Sequence, residues 1–164
     1  MASELTTTQK FLNRIEGLAL PIGFERKKNA FVRDREENLL VESLAFIGSD
    51  PRSKKLITHP VLVLAFRSDR HPTPESGFGL WLADFGARFG FEGAHQISHY
   101  NDSSANFRWF ELFGDVLAHV VMHLDPILAD ADQLAEFLST DPHFSRKTDL
   151  IARVAELPER PQGS

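Results

Sequence analysis

The chain opens with apolar residues at Phe11, Leu12, Ile15 and Leu18, the three-and-four spacing of a helix that buries one face. Thr6, Thr7 and Thr8 stand at its start, and threonine is a suitable N-cap. The helix should end before Pro21, because the residue ahead of a proline avoids the α region; Gly17 weakens its last turn. The pattern changes at Gly23. Two short extended pieces flank a polar turn at Lys28-Asn29, where asparagine tolerates the left-handed backbone of a tight turn. Residues 38–47 are rich in Leu, Val, Phe and Ile and read as a strand, ended by Gly48-Ser49-Asp50-Pro51. Residues 57–66 carry a nearly continuous apolar run, which predicts a central strand covered on both faces. Pro60 fits only near its beginning.

Residues 70–77, with Pro72 and Pro74, read as a loop. Phe78, Leu82, Phe85 and Phe89 recur at helical spacing and predict a short helix over 79–89, weakened by Gly79 and Gly86. Residues 96–100 and 107–112 read as two further strands around a polar loop. Alternation would place Phe107 and Trp109 on one face and Phe110 and Leu112 on the other. A helix starting at Arg108 is the rival reading. Gly114-Asp115, a flexible residue followed by a good N-cap, favours a later start. Val116, Leu117, Val120, Val121, Leu124 and Leu128 then form a broad helical stripe, with Pro126 kinking or ending it. Asp130 or Asp132 caps a second helix ending near Ser139. Asp141-Pro142 breaks the chain, and residues 147–157 form a last helix with Leu150, Ile151, Val154 and Leu157 inward.

A helix, a run of strands and a run of helices imply an α+β fold: a mostly antiparallel sheet of four to six strands, with an N-terminal helix and C-terminal helices packed on it. Residues 1–158 are expected to be one domain and 159–164 a flexible tail. Val61, Val63 and Phe66 should be buried together with Val120 and Leu124, joining the central strand to the long helix.

Composition narrows the chemistry. A chain of 164 residues can bury a core without a metal or disulfide, and the absence of cysteine excludes disulfides, Cys-ligated zinc and thiol catalysis. Fourteen phenylalanines against one tyrosine point to a Phe-rich core. The first ten residues have no apolar signal core, and no stretch approaches the roughly 20 apolar residues of a membrane span. The expected location is the cytoplasm. The net charge of −5 is lopsided, +2 over residues 1–82 and −7 over 83–164. Between Trp109 and Asp141 lie Glu111, Asp115, Asp125, Asp130, Asp132, Glu136 and the terminal Asp141, with no Lys or Arg. Such a segment repels phosphate backbones and attracts a basic protein, so no nucleic-acid partner is expected here.

Gly23-Phe24 followed by Arg26-Lys27-Lys28-Asn29-Ala30-Phe31 resembles the opening of small bacterial proteins of the DUF4304 family, whose function is unknown. Phe107-Arg108-Trp109-Phe110-Glu111-Leu112 resembles that family's late aromatic strand, with Phe110 where a second tryptophan is usual. Leu124-Asp125-Pro126-Ile127-Leu128, leading into Asp132-Gln133-Leu134, resembles its closing helical segment. The resemblance implies a compact α+β fold and carries no catalytic residues. By analogy, some small bacterial domains of this sort accompany toxins as immunity proteins.

Candidate chemistry is sparse. Asp115, His119 and His123 are spaced four apart, so three ligands could line one side of a helix and hold a metal. Val120 occupies the place of the base in the His-Glu-x-x-His pattern. His95 and His99 repeat the spacing, and a site built from both pairs would need the two segments to meet. No nucleophile motif and no phosphate loop occurs, and Gly77-Phe78-Gly79 is too short for a dinucleotide fingerprint. Glu36, Glu37 and Glu42 read as solvent-side charges, available for acid–base work only if a pocket raised one of them. Arg26-Lys27-Lys28 and Arg52, Lys54 and Lys55 read as solubilising charge on turns and edges. The expectation is a non-enzymatic interaction domain without a cofactor, in its most concrete form an immunity protein masking a basic toxin. Its contact residues would be Trp109, Glu111, Asp125, Asp130, Asp132 and Glu136. The alternatives are a metal-dependent enzyme using Asp115, His119 and His123, or a small-ligand binder with an aromatic pocket of Trp81, Phe85, Trp109 and Phe110.

Overall fold

The N-terminal apolar spacing gives the helix it predicts, α1 (Thr7–Ala19), which buries Phe11, Leu12, Ile15 and Ala19 and passes into a single 3₁₀ turn at Leu20–Ile22. The structure, a computed structural model, describes residues 7–48, 56–101 and 107–158. Strands β1 (Glu25–Lys27) and β2 (Ala30–Arg33) form a hairpin. Its left-handed position is Lys28, at φ 59°, rather than Asn29. Next come β3 (Val41–Gly48), β4 (Ile57–Ala65), β5 (Phe78–Trp81), α2 (Leu82–Arg88) and the two-residue β6 (Tyr100–Asn101). Then α3 (Phe107–Leu128), α4 (Ala131–Thr140) and α5 (Thr148–Ala155) close the fold. All the strand pairs are antiparallel, in the order β1-β2-β3-β4-β5. β6 continues the β5 edge of β4 through Ile57↔Asn101 and Thr58↔Tyr100. The architecture is the α+β arrangement that the pattern predicts. Among the described residues no single helix is long and apolar enough to cross a membrane.

The register assigns the two sheet faces. Phe31, Leu44, Leu62, Leu64, Phe78 and Leu80 point to the helical layer and join the main core with α1 and α3. Val61, Val63 and Ala65 point the other way and form a small cluster of their own. The expected core residues are therefore all buried, but Val61 and Val63 do not face α3; Leu62 and Leu64 are on that side. The loop before β5 folds over the outer cluster. A Cβ on Gly79 would sit 2.8 Å from Pro74, and one on Gly77 would sit 2.9 Å from Val63 Cγ1. Lys147 ties this loop to the C-terminal helices, its Nζ donating to the carbonyls of Pro74 and Gly77.

Several sequence expectations about the elements are corrected. Residues 107–112 are not a strand but the first turns of α3. Gly114 does not start the helix; it lies inside it, where a Cβ would be 3.4 Å from Leu18 of α1, so it serves a close helix–helix approach. Residues 96–100 are not a strand either: a 3₁₀ turn spans Ala94–Ile97 and only Tyr100 and Asn101 pair with β4. The helix expected over 79–89 divides into β5 and α2. Pro126 neither ends nor interrupts α3, which runs on to Leu128. A proline removes the bond to the carbonyl four residues back. Here that carbonyl belongs to Met122, a residue on the outward face of α3.

Asp130 is the cap of α4, its Oδ1 accepting from the N–H groups of Asp132 at 2.9 Å and Gln133 at 3.1 Å. Asp130→Ala should lower the unfolding free energy by about 1 kcal/mol, whereas Asp132→Ala, which removes no cap, should stay within about 0.5 kcal/mol. Urea denaturation of the two variants checks the assignment.

Candidate functional site

Alternation along β2 and β3 places Arg33 on the face of Phe31, and Glu42 on the face of Leu44 and Phe46. Both charges therefore point at the helical layer, and both are buried, Glu42 completely. Arg33 Nη1 donates to Glu42 Oε1 at 2.7 Å and to Asp125 Oδ1 at 2.6 Å; Nη2 reaches Asp125 Oδ2 at 3.0 Å. Its Nε donates to the Ile22 carbonyl at 3.0 Å. Arg35 Nη1 adds a second cation on Asp125 Oδ2 at 2.8 Å and also pairs with Glu37. Buried Asn38 turns its amide toward Asp125 Oδ1 at 3.5 Å. Glu42 Oε2 and Asn38 Oδ1 are buried without a hydrogen-bond partner.

The cluster shifts its own protonation. Burial pushes the Glu42 carboxyl from 4.5 up to about 7, against the pull of Arg33. Burial acts in the same sense on Asp125, but there the hydrogen bond and charge of Arg33 and the charge of Arg35 outweigh it and hold the carboxyl below its usual range. Burial disfavours the Arg33 cation, yet its two carboxylate partners more than compensate and leave its pKa raised. Glu42 is thus not the solvent-side charge expected of it. The signal was period-two alternation, which sets Glu42 in line with Leu44 and Phe46.

The acidic segment divides into engaged and free carboxylates. Asp125 is held by Arg33 and Arg35. Asp130 is the α4 cap. Asp141 is buried and accepts from Arg88 Nε at 2.7 Å and from the N–H groups of His143 and Phe144. Burial opposes its charge, but these donors prevail and its pKa is lowered. Glu111 and Asp115 on α3 and Asp132 and Glu136 on α4 are exposed. On α3 the exposed positions Arg108, Glu111, Asp115, Ala118 and Met122 follow one another at helical spacing, forming one outward stripe. Met122, 64% exposed, is the most exposed large apolar side chain among the described residues. Trp109 is half-buried, stacked on Phe113 at 5.3 Å, with its indole N–H on the His99 carbonyl.

The histidines of α3 are satisfied locally. His119 Nε2 donates to the Phe89 carbonyl at 2.8 Å and His123 Nδ1 to the His119 carbonyl at 2.9 Å, their rings 4.2 Å apart. Asp115 is exposed one turn before them. Among the described residues no group of three His, Asp or Glu side chains is placed to hold a metal. His95 is exposed, and His99 lies 6.0 Å ring to ring from His59. The four aromatics expected to form a pocket are in three places. Trp81 packs at a tilt against His59, ring centroids 4.6 Å apart, on the outer sheet face, and Phe85 is in the core beside Phe144. Trp109 and Phe110 pack with Phe11 and Tyr100. Arg26 is fastened to α1 through Asn13 and Glu16, Lys27 pairs with Glu25, and Arg52, Lys54 and Lys55 lie outside the described residues. Compared with protein-family models, curated proteins and solved structures, the chain has no match.

Proposed function

We propose that this protein is a non-enzymatic interaction domain that docks a basic protein on the outer faces of α3 and α4, in its most concrete form an immunity protein covering a toxin. The observation that carries the reading is the exposed stripe of α3, where Glu111 and Asp115 lead to the bare side chain of Met122. Asp132 and Glu136 extend the negative surface on α4, and no Lys or Arg falls between Trp109 and Asp141. A cluster of exposed carboxylates projects a field over about one Debye length, near 8 Å at physiological salt. Such a field speeds encounter and selects the sign of the partner, and a flexible, polarisable methionine supplies adaptable apolar contact. Asp125 and Asp130 support the surface from within, one by pairing and one by capping, and Trp109 by packing.

The test uses the toxin encoded beside this chain, or the basic protein that co-purifies with it. Reversing Glu111, Asp132 and Glu136 to lysine leaves the cap and the ion cluster intact. It should slow association at least tenfold at low salt, within the usual span of electrostatic steering. The wild-type rate should fall as salt rises, and Met122→Ala should speed dissociation. Equal association rates for the two chains at every salt concentration would show that the acidic face only solvates the fold.

A further inference from the structure

The cluster around Glu42 is short of hydrogen atoms. Glu42 is 0% exposed, Oε1 takes a hydrogen from Arg33, and Oε2 has no donor. Asn38 Oδ1, buried in the same cluster, also has none. The charges agree with this shortage. Arg33 and Arg35 are the cations, and Asp125, paired to both, together with Glu37, paired to Arg35, already balances them. An ionised Glu42 leaves the cluster with one negative charge in excess at its most buried point; a protonated Glu42 leaves it neutral and turns the bare Oε2 into a donor. Leaving a buried carboxylate partly unsatisfied is unfavourable.

We propose that Glu42 is a proton-binding site that joins β2 and β3 to the last turns of α3, so that the fold tightens as pH falls through neutrality. The groups facing it are Arg33 from β2, Asp125 from α3, and Arg35 and Asn38 from the β2–β3 connection; its register partner on β4 is the uncharged Leu64. Protonation does not orphan Arg33, which keeps both oxygens of Asp125. Burial sets the carboxyl near 7 in the folded chain against 4.5 without it. In that window the folded state holds a proton that the unfolded state lacks, so stability rises as pH falls. One proton linked across it raises the folding equilibrium constant roughly 50- to 100-fold between pH 8 and pH 5.

Urea unfolding of the full chain and of Glu42→Gln at pH 8 and pH 5 tests this. Glutamine keeps an oxygen for Arg33 and cannot ionise. The wild-type folding constant should rise roughly 50- to 100-fold more than that of the variant, the histidines and surface carboxylates common to both chains cancelling in the difference. Independently of any variant, the side-chain carboxyl carbon signal of Glu42 should titrate in the folded wild type with a midpoint near 7. A midpoint in the ordinary carboxylate range, or the same pH slope in both chains, overturns the proposal.

Discussion

Arg33→Met should lower the unfolding free energy by about 3–5 kcal/mol at pH 8, the range for removing one member of a buried ion pair. Methionine keeps most of the aliphatic stem and removes every donor. Three elements lose a hydrogen bond at once: Glu42 on β3, Asp125 on α3 and the Ile22 carbonyl after α1. The losses are unequal. Asp125 keeps Arg35, and its side chain is 24% exposed, so water can reach it. Glu42 is 0% exposed, and its relief is to take up a proton. The defect should therefore shrink as pH falls from 8 to 5, because the charge that Arg33 compensates disappears. Below that window the wild type itself loses stability, since Asp125 and Asp141, both held below their usual range, contribute stability that is lost when they protonate. A double variant, Arg33→Met with Glu42→Leu, should recover much of the loss at pH 8, because apolar replacement of both partners leaves no buried charge. Urea denaturation of the three chains measures all of this. A single-variant loss under about 0.5 kcal/mol at pH 8, the surface value, would show that the arginine is not buried between its carboxylates.

The sheet was legible because its turns carry turn residues and because β4 has an apolar run too long for one exposed face. That run also concealed information. When Val61, Leu62, Val63 and Leu64 are all apolar, alternation cannot say which pair faces the helices, and only the pairing with Leu44, Leu80 and Phe78 decides it. The beginning of α3 was obscured by two competing periods. Trp109, Phe110, Phe113, Val116, Leu117 and Val120 are all part of one helical pattern, but Gly114 looks like a breaker until Leu18 is seen against it. Glycine at a helix contact and glycine at a helix start are indistinguishable without the neighbouring helix. At β5 the opposite happened: Phe78 and Leu82 share helical spacing by coincidence, since Phe78 belongs to the strand and Leu82 to the helix that follows it. Among the candidate site residues, the exposed acids were readable from composition. Their engagement was not, because Asp125 meets Arg33 across 92 residues of chain. Glu42 and Arg33 alternate correctly with core residues, yet the usual exposure of charge overrode that signal until a third charge from α3 was placed beside them.

Leu124→Ala should cost about 2–5 kcal/mol, the range for truncating a large buried side chain. Leu124 is 0% exposed on the inward stripe of α3, with Val116, Leu117, Val120, Val121 and Leu128 in the same core. The cluster it belongs to also includes residues of the sheet, α1 and α4, and a close-packed core relaxes only partially around a truncation. Collapse would have to move α3, and Asp125, the next residue, is fastened to Arg33 and Arg35. The loss should therefore lie in the upper half of the range. Met122 provides the control on the same helix. Two residues correspond to about 200° around the axis, and Met122 is 64% exposed. Met122→Ala should change stability by no more than about 0.5 kcal/mol, and the small gain in helix propensity from alanine acts in its favour. The contrast fixes the rotation of α3 about its own axis, on which both the ion cluster and the outward acidic stripe depend. A small loss at Leu124 with a large one at Met122, read from urea midpoints at unchanged slope, would mean that α3 is turned the other way.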